Sequence, residues 1–540
     1  MRLQDLGTRF ADARANAALS RQVQRVEAWL RTLPSEPSLD PVVVFNASTR
    51  IQRLSLNAAY SLLAAWGLRA AGRPVIQAVC DRGLGQCPLG TERTHLEKGP
   101  PCKHCVRFSR GLFPPSGMEQ LTLNDGLSRA VWDQTDNATL PELFQWKGAG
   151  LPLGDLVLPT VRWVLRRHDV MDDEPVRRLV RRYLAGAASL AGRLAELFER
   201  TRPSAVVLFN GILFPEAVAR RVALDRGLRV VTHEVGLQPF SAFFSHEHAT
   251  FRDVAPEEDR VLTEAEDRRL DAYLAERAEG RFSMAGIRFW PQIAPLPPEL
   301  EARLANGRPA VAVFTNVVFD TSQVHAHTIY PSMFAWLEDL AGIIDKHPDR
   351  TFVLRAHPDE DRPGKESQQS VQAWVRETGL GRKPNVVFIP PEERVSSYEL
   401  LRRAGLVLVY NSSIGLEAAI GGKAVVLAGR ARYSSANAAY TPGSRPEYLR
   451  LVEQQLQSAA AEVDGEHARN ARRFLHFELY RASLDFSPFL RERRGFPGMV
   501  EWTPLDPAEL ARWEPLRVVV RGVLEGTPFI ASPVGTPTPE

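Results

Sequence analysis

The chain has 540 residues, more than one compact core accommodates, and its length predicts two large domains. Hydrophobic residues make up 44% and charged residues 24%, the composition of a globular protein, and a net charge of +3 is too small to argue for a nucleic-acid partner. No apolar run reaches the ~18 residues of a membrane-spanning helix, and the N-terminus "MRLQDLGTRFADARANAAL" has no apolar signal core, so a cytoplasmic protein without a transmembrane segment is expected.

Residues 10–32 read as a helix. "PVVVFNAS" (41–48) reads as a buried strand, "LNAAYSLLAAWGLRAAG" (56–72) as the helix after it, and "RPVIQAV" (73–79) as the next strand. That succession opens a doubly wound parallel sheet. A loop holding all four cysteines follows, and then a section, 118–200, read as mostly helical. Strand "SAVVLFNG" (204–211), helix "FPEAVARRVALDRG" (214–227) and strand "LRVVTHEVG" (228–236) complete a first Rossmann-like domain over 1–280. The proline-rich stretch 281–308 reads as a hinge.

A second alternation runs through 309–485. Its strands are "PAVAVFTN" (309–316), "TFVLRA" (351–356), "NVVFIP" (385–390), "LVLVYN" (406–411) and "AVVLAG" (424–429). Helices are expected near 332–346, 366–379, 396–404, 413–421 and 445–461. Short αβ connections of this kind imply a parallel sheet. Residues 486–540 read as an extension, ending in a loose tail from 525. The fold class expected is α/β, with two Rossmann-like domains facing a cleft and with a cysteine-rich loop and a helical insertion in the first.

The cysteines stand at Cys80, Cys87, Cys102 and Cys105. Cys102-Lys-His-Cys105 has the two-residue gap that lets two thiolates grip one tetrahedral ion, and Cys80 and Cys87 supply two more ligands. Disulfides do not suit a cytoplasmic chain. A structural zinc site, an iron–sulfur cluster and plain reduced thiols remain open.

The segment "KHPDRTFVLRAHPDEDRP" (346–363) contains two His-Pro pairs on either side of a strand. Ligands of open parallel sheets bind beyond the carboxyl ends of the strands. His347-Pro348 precedes its strand and reads as a helix stop. His357-Pro358 follows it, on the binding edge, with Arg355 two residues earlier and Asp359, Glu360 and Asp361 after it, which would repel an anion unless they face solvent. In "VLVYNSSIGLEAAIGGKAVVLAG" (407–429) a strand ends at Asn411, and Ser412 and Ser413 open a helix whose free N–H groups and hydroxyls suit phosphate. An ordinary N-cap is the plain alternative. Gly415 would permit close approach of a ligand, and Glu417 lies within reach of ribose hydroxyls.

"RAHPDE" followed by "YNSSIGLEAAIGGKAVVLAGRARY" resembles the capsule polysaccharide biosynthesis proteins, the group that includes bacterial Kdo transferases, and more distantly the bacterial sialyltransferases. The resemblance covers about 309–435, with 204–236 as a matching N-terminal half. It implies the GT-B fold and a glycosyltransferase that moves a sugar from a nucleotide-activated donor, a CMP-sugar, to a capsule or other cell-surface glycan precursor. It implies that His357 contacts the donor nucleotide or its phosphate and that Ser412 and Ser413 hold phosphate, with Glu417 a weaker carry-over. The acidic motif that holds the base in the sialyltransferases is not recognisable here.

Inverting transfer needs a general base on the acceptor hydroxyl and stabilisation of the departing phosphate. His233 and Glu234, after a strand of the first domain, and Asp320, after "VFTNVVFD", are the candidates, while Asn316 is placed to contact the donor. The chemistry is expected to be metal-independent. His325 and His327 alone are a poor metal signal. Arg177, Arg178, Arg181 and Arg182 form a basic helix face, either solvated surface or a contact for an anionic glycan or the inner membrane face. Competing functions are a CDP-polyol phosphotransferase of teichoic-acid type, a nucleotide-sugar epimerase, and a non-catalytic nucleotide-sugar or glycan-binding protein. The expected partners are a nucleotide-sugar donor and a glycan or glycolipid acceptor.

Overall fold

The computed structural model describes residues 3–47, 53–114, 118–124, 127–246, 248–250, 256, 260–281, 283–284, 287–288, 295–305, 309–458 and 464–532. The stretch read as a hinge therefore lies largely outside the described residues.

In the N-terminal half, strands β1 (Val42–Phe45), β2 (Val75–Cys80), β3 (Glu119–Leu123), β4 (Ala205–Phe209), β5 (Arg229–Val235) and β6 (Ser241–His246) form one sheet. β1 to β5 are parallel, and β6 runs antiparallel to β5. Alternation along β1 shows why the sheet is buried on both faces: Val42 and Val44 enter one core, Val43 and Phe45 the other. Helix Leu56–Ala70, capped by the Ser55 hydroxyl, packs on the first face. The 28-residue helix Glu174–Thr201, capped by Asp173, packs on the second.

The C-terminal half holds β7 (Ala310–Phe314), β8 (Phe352–Arg355), β9 (Val386–Ile389), β10 (Ala404–Val409) and β11 (Ala424–Leu427). All five are parallel, in the order β9-β8-β7-β10-β11. Val311 and Val313 face one core, and Ala310, Ala312 and Phe314 the other. The order reverses between β7 and β10, which opens a crevice at the carboxyl edge there.

Three features differ from the sequence reading. The section read as helical from 118 begins with β3, a short outer strand whose alternating Leu121 and Leu123 carry the period-two signal. β6, built on Ala242-Phe243-Phe244, extends the N-terminal sheet beyond β5. The chain also returns to that sheet at its end. β12 (Leu484–Asp485) pairs antiparallel with β6, and helix Glu514–Glu525 lies on helix Leu56–Ala70. A Cβ on Gly67 would stand 2.8 Å from Leu516 Cγ, so glycine allows the close approach. Nor is the described part of the tail loose: Phe529 is buried in the N-terminal core, and Arg481 Nε donates to Ala531 O (2.6 Å).

The halves touch beside the cleft. Gln369 Oε1 accepts from the N–H groups of His168 (3.0 Å) and Asp169 (2.9 Å), and Arg93 pairs with Glu366 at 3.4 Å. The basic helix face divides between buried packing and surface ion pairs. Arg181 donates to Thr135 O and Asp136 O, Arg182 to Leu96 O and Glu97 O, and Arg177 and Arg178 pair with Glu174. Among the described residues no helix is long and apolar enough to cross a membrane.

Candidate functional site

The loops after β8 and β10 open into one cavity of about 500 Å³. Its lining includes Arg355, His357, Arg362, Ser412, Ser413 and Glu417. His357 and the serines, far apart in sequence, thus meet at one sheet edge. His347 caps the helix Met333–Lys346 at the opposite edge, where its Nε2 lies 3.0 Å from Glu453.

His357 caps the short turn Pro358–Asp361: the Asp359 N–H donates to His357 Nδ1 (3.1 Å). An accepting Nδ1 leaves the proton on Nε2, so the ring is a donor at that atom. Burial holds its pKa below the ordinary histidine value, against the pull of Asp359 and Asp320, and keeps it neutral. The acidic run beside it is not a wall of negative charge. Glu360 is buried, accepts from Val371 N, and burial pushes its pKa up to about 8, so it is largely protonated near neutral pH. Asp359 pairs with Arg362 at 3.5 Å.

Arg355 is buried beneath the cavity and donates through Nη1 to Pro390 O (2.9 Å), while its Nε has no partner. Burial lowers its pKa to about 10, so it stays charged at neutral pH. Ser413 opens the helix Ile414–Ile420 without a side-chain capping bond, and its hydroxyl is exposed. Ser412 is half-buried, and its carbonyl accepts from Tyr433 Oη (2.9 Å).

Several of the residues expected to contact the ligand also have structural partners. Gly415 is glycine because Tyr433 packs there: a Cβ would fall 2.1 Å from the Tyr433 hydroxyl. Glu417 has both oxygens engaged, Oε1 by Arg277 Nε at 2.8 Å and Oε2 by the Tyr398 hydroxyl. Arg277 belongs to helix Glu264–Ala278, so this buried pair joins that helix to the cavity floor. Asn316 and Asn411 tie the β7 and β10 loops together: Asn316 Oδ1 accepts from Asn411 N (3.3 Å), Asn411 Oδ1 accepts from Gln323 Nε2 (2.9 Å), and Asn411 Nδ2 donates to Ser322 O (3.1 Å).

Of the candidate bases, His233 is excluded by position. It is fully buried, its Nε2 is 2.8 Å from Ser61 Oγ, and burial drives its pKa down to about 3. Along β5, His233 and Glu234 point to opposite faces of a sheet covered on both sides, and Glu234 is half-buried only because it lies at the carboxyl end of the strand. Glu234 accepts from Asn210 Nδ2 (3.0 Å) and from Val235 N (2.9 Å). Burial raises its pKa, Asp320 adds to the rise, and Arg432 opposes it. Asp320 is exposed, its Oδ1 accepts from Ser322 N (2.9 Å), and its charge acts on His357, Lys365, Arg166 and Arg432 as well. The charge of Asp320 in the second domain is therefore felt at Glu234 in the first.

His325 and His327 pack edge-on against His248 and His168 of the first domain, at 4.7 and 5.4 Å between ring centroids. Sequence spacing could not reveal these partners. Arg166, stacked on Trp163 and Phe319, is another cleft residue the sequence reading missed.

The four cysteines form no disulfide and line one small cavity. Burial pushes Cys80 up to about 11 and Cys87 up to about 12, which argues against either as an activated nucleophile.

Residues 298–443 match the family described as capsule polysaccharide biosynthesis protein. The matched segment runs through β7 to β11 and includes His357, Ser412 and Ser413. Among solved structures the chain is similar to KpsC of Thermosulfurimonas dismutans. The β-Kdo 2,4 transferase aligns at 13% identity and TM-score 0.33, over 52% of this chain and 80% of that one. The β-Kdo 2,7 transferase aligns at 16% and 0.30, over the same shares. A UDP-GlcNAc 2-epimerase from Neisseria meningitidis aligns at 12% and 0.24, over 81% of this chain and 98% of that one. No curated protein matches the chain.

Proposed function

We propose that the protein is a glycosyltransferase of capsule or related cell-surface polysaccharide synthesis, transferring a sugar from a nucleotide donor to a glycan precursor. The observation that carries this reading is the convergence of His357, Ser412 and Ser413, from two separate loops, on one cavity at the carboxyl edge of a parallel sheet. Neutral His357 would give its Nε2 proton as a hydrogen bond to a donor phosphate. The Ser412 and Ser413 hydroxyls would take a second face of that phosphate, and Arg355 would supply positive charge from below. These groups stabilise charge as it develops on the leaving nucleotide, with no divalent ion needed for the step.

Glu234 would act as the general base. Its raised pKa brings a carboxylate nearer the working pH, where proton abstraction is most effective. Burial is the main cause of that rise, and the charge of Asp320 adds to it. The acceptor hydroxyl would lose its proton to Glu234 as its oxygen bonds to the anomeric carbon. The bond from that carbon to the donor phosphate breaks, and the nucleotide leaves. A CMP-sugar is the donor we favour, on the resemblance of the His-Pro and Ser-Ser elements.

The test is nucleotide release from CMP- and UDP-sugars by the purified chain in the presence of cell-surface glycan fragments. Acceptor-dependent release that falls in His357→Ala supports the reading. Tight nucleotide binding without release under any acceptor would make the protein a binding module.

A further inference from the structure

We propose that Cys80, Cys87, Cys102 and Cys105 form a structural zinc site that fixes the N-terminal wall of the cleft. These are all the cysteines of the chain, and they come from three places: the end of β2, the loop after it, and the first turn of helix Cys102–Leu112. All four line one cavity of about 40 Å³, room for one ion and no ligand of any size. Cys102 and Cys105, three apart on a helix, lie on one face and can present both sulfurs to that point.

The backbone packs closely around Cys87: a Cβ on Gly90 would lie 3.2 Å from Cys87 Sγ and 2.6 Å from Pro100 Cβ. Among the described residues no three Cys, His, Asp or Glu side chains stand as ligands of one ion, so metal binding would require the four thiols lining the cavity to turn toward one point.

Tetrathiolate coordination leaves no open position, which makes the role structural. The loop is also tied at its base: the Thr91 hydroxyl bonds to Cys87 O (2.8 Å) and lies 2.7 Å from the Tyr183 hydroxyl, and the N–H groups of Asp81 and Gly83 donate to Leu123 O. Its far side is tied by Arg182 to Leu96 O and Glu97 O, and Arg93 reaches across to Glu366 of the second domain. Zinc at its base would add to those ties and, through Arg93 and Glu366, to the approach of the loop that follows His357.

Untagged full-length protein, purified under reducing conditions, would be analysed for zinc and iron. About one zinc per chain is expected, with X-ray absorption of the wild-type protein giving four sulfur neighbours at about 2.3 Å. A Cys102→Ser/Cys105→Ser chain should lose that zinc. Absorption on the wild-type protein keeps the test decisive if this variant fails to fold. Thiol titration of the unfolded chain in EDTA should find all four cysteines reduced. Absence of zinc, an iron–sulfur spectrum, nitrogen or oxygen replacing sulfur around the ion, or missing thiols would each overturn the proposal.

Discussion

Replacing His357 separates the two jobs its ring performs. Nδ1 accepts from Asp359 N and holds the turn Pro358–Asp361, which leaves the donor proton on Nε2 of a ring that lines the cavity. His357→Ala removes both functions. His357→Asn keeps an acceptor near the Nδ1 position, and so keeps the cap, but lacks the reach of Nε2. A hydrogen bond to a charged phosphate contributes about 1.5–3 kcal/mol, so both variants should bind nucleotide roughly tenfold to 150-fold more weakly. The Asn variant should keep the wild-type Tm, and the Ala variant should lose some of it. His347→Ala is the control. Its ring meets only Glu453 at a partly exposed pair, worth about 0–1 kcal/mol of stability and nothing in binding. The assay is calorimetric titration with whichever of CMP, CDP, UMP and UDP raises the Tm most. Equal affinity losses in His347→Ala and His357→Ala, with both proteins folded, would refute the placement of the donor at the carboxyl edge.

Changing Ser412 and Ser413 together to alanine should cut turnover strongly with little loss of stability, since Ser413 makes no capping bond; calorimetry and initial rates would check this. Glu234→Gln should lower kcat far more than donor affinity. Asp320→Asn, which keeps the side-chain oxygen bonded to Ser322 N, should move the acid limb of the pH–rate profile lower by removing the negative charge that raises the Glu234 pKa. Arg277→Met should destabilise the fold by about 3–5 kcal/mol in denaturant unfolding, because it strands the Glu417 carboxylate in a buried site. His168 and His327, both held down to about 4 by burial, contribute stability that is complete above the ordinary histidine pKa of 6.5. That stability should fall as the pH drops from 6.5 towards 4, because the unfolded chain takes up protons first. The Tm of a His168→Asn/His327→Asn chain should depend less on pH over that range.

The second sheet was legible because each strand is an unbroken apolar run and each helix a separate period-3.6 stretch between short loops. β3, β6 and β12 were not, for different reasons. β3 is a single outer strand with weak alternation, β6 stands close behind β5, and β12 is a two-residue pairing made only when the chain end returns. The meeting of His357 with Ser412 and Ser413 followed from a rule about strand ends. What no spacing could supply was side-chain direction. His233 and Glu234 are adjacent, yet the first is fully buried and the second half-buried at the end of β5. Gly415 and Glu417 lie in the expected loop, but Tyr433, Arg277 and Tyr398, distant in sequence, decide what they do.

A crystal soak with the best-stabilising nucleotide tests the central claim most directly. The phosphate should lie between His357 Nε2 and the Ser412 and Ser413 hydroxyls, on the carboxyl edge of β8 and β10. A phosphate bound elsewhere, with His357 and both serines untouched, would contradict it.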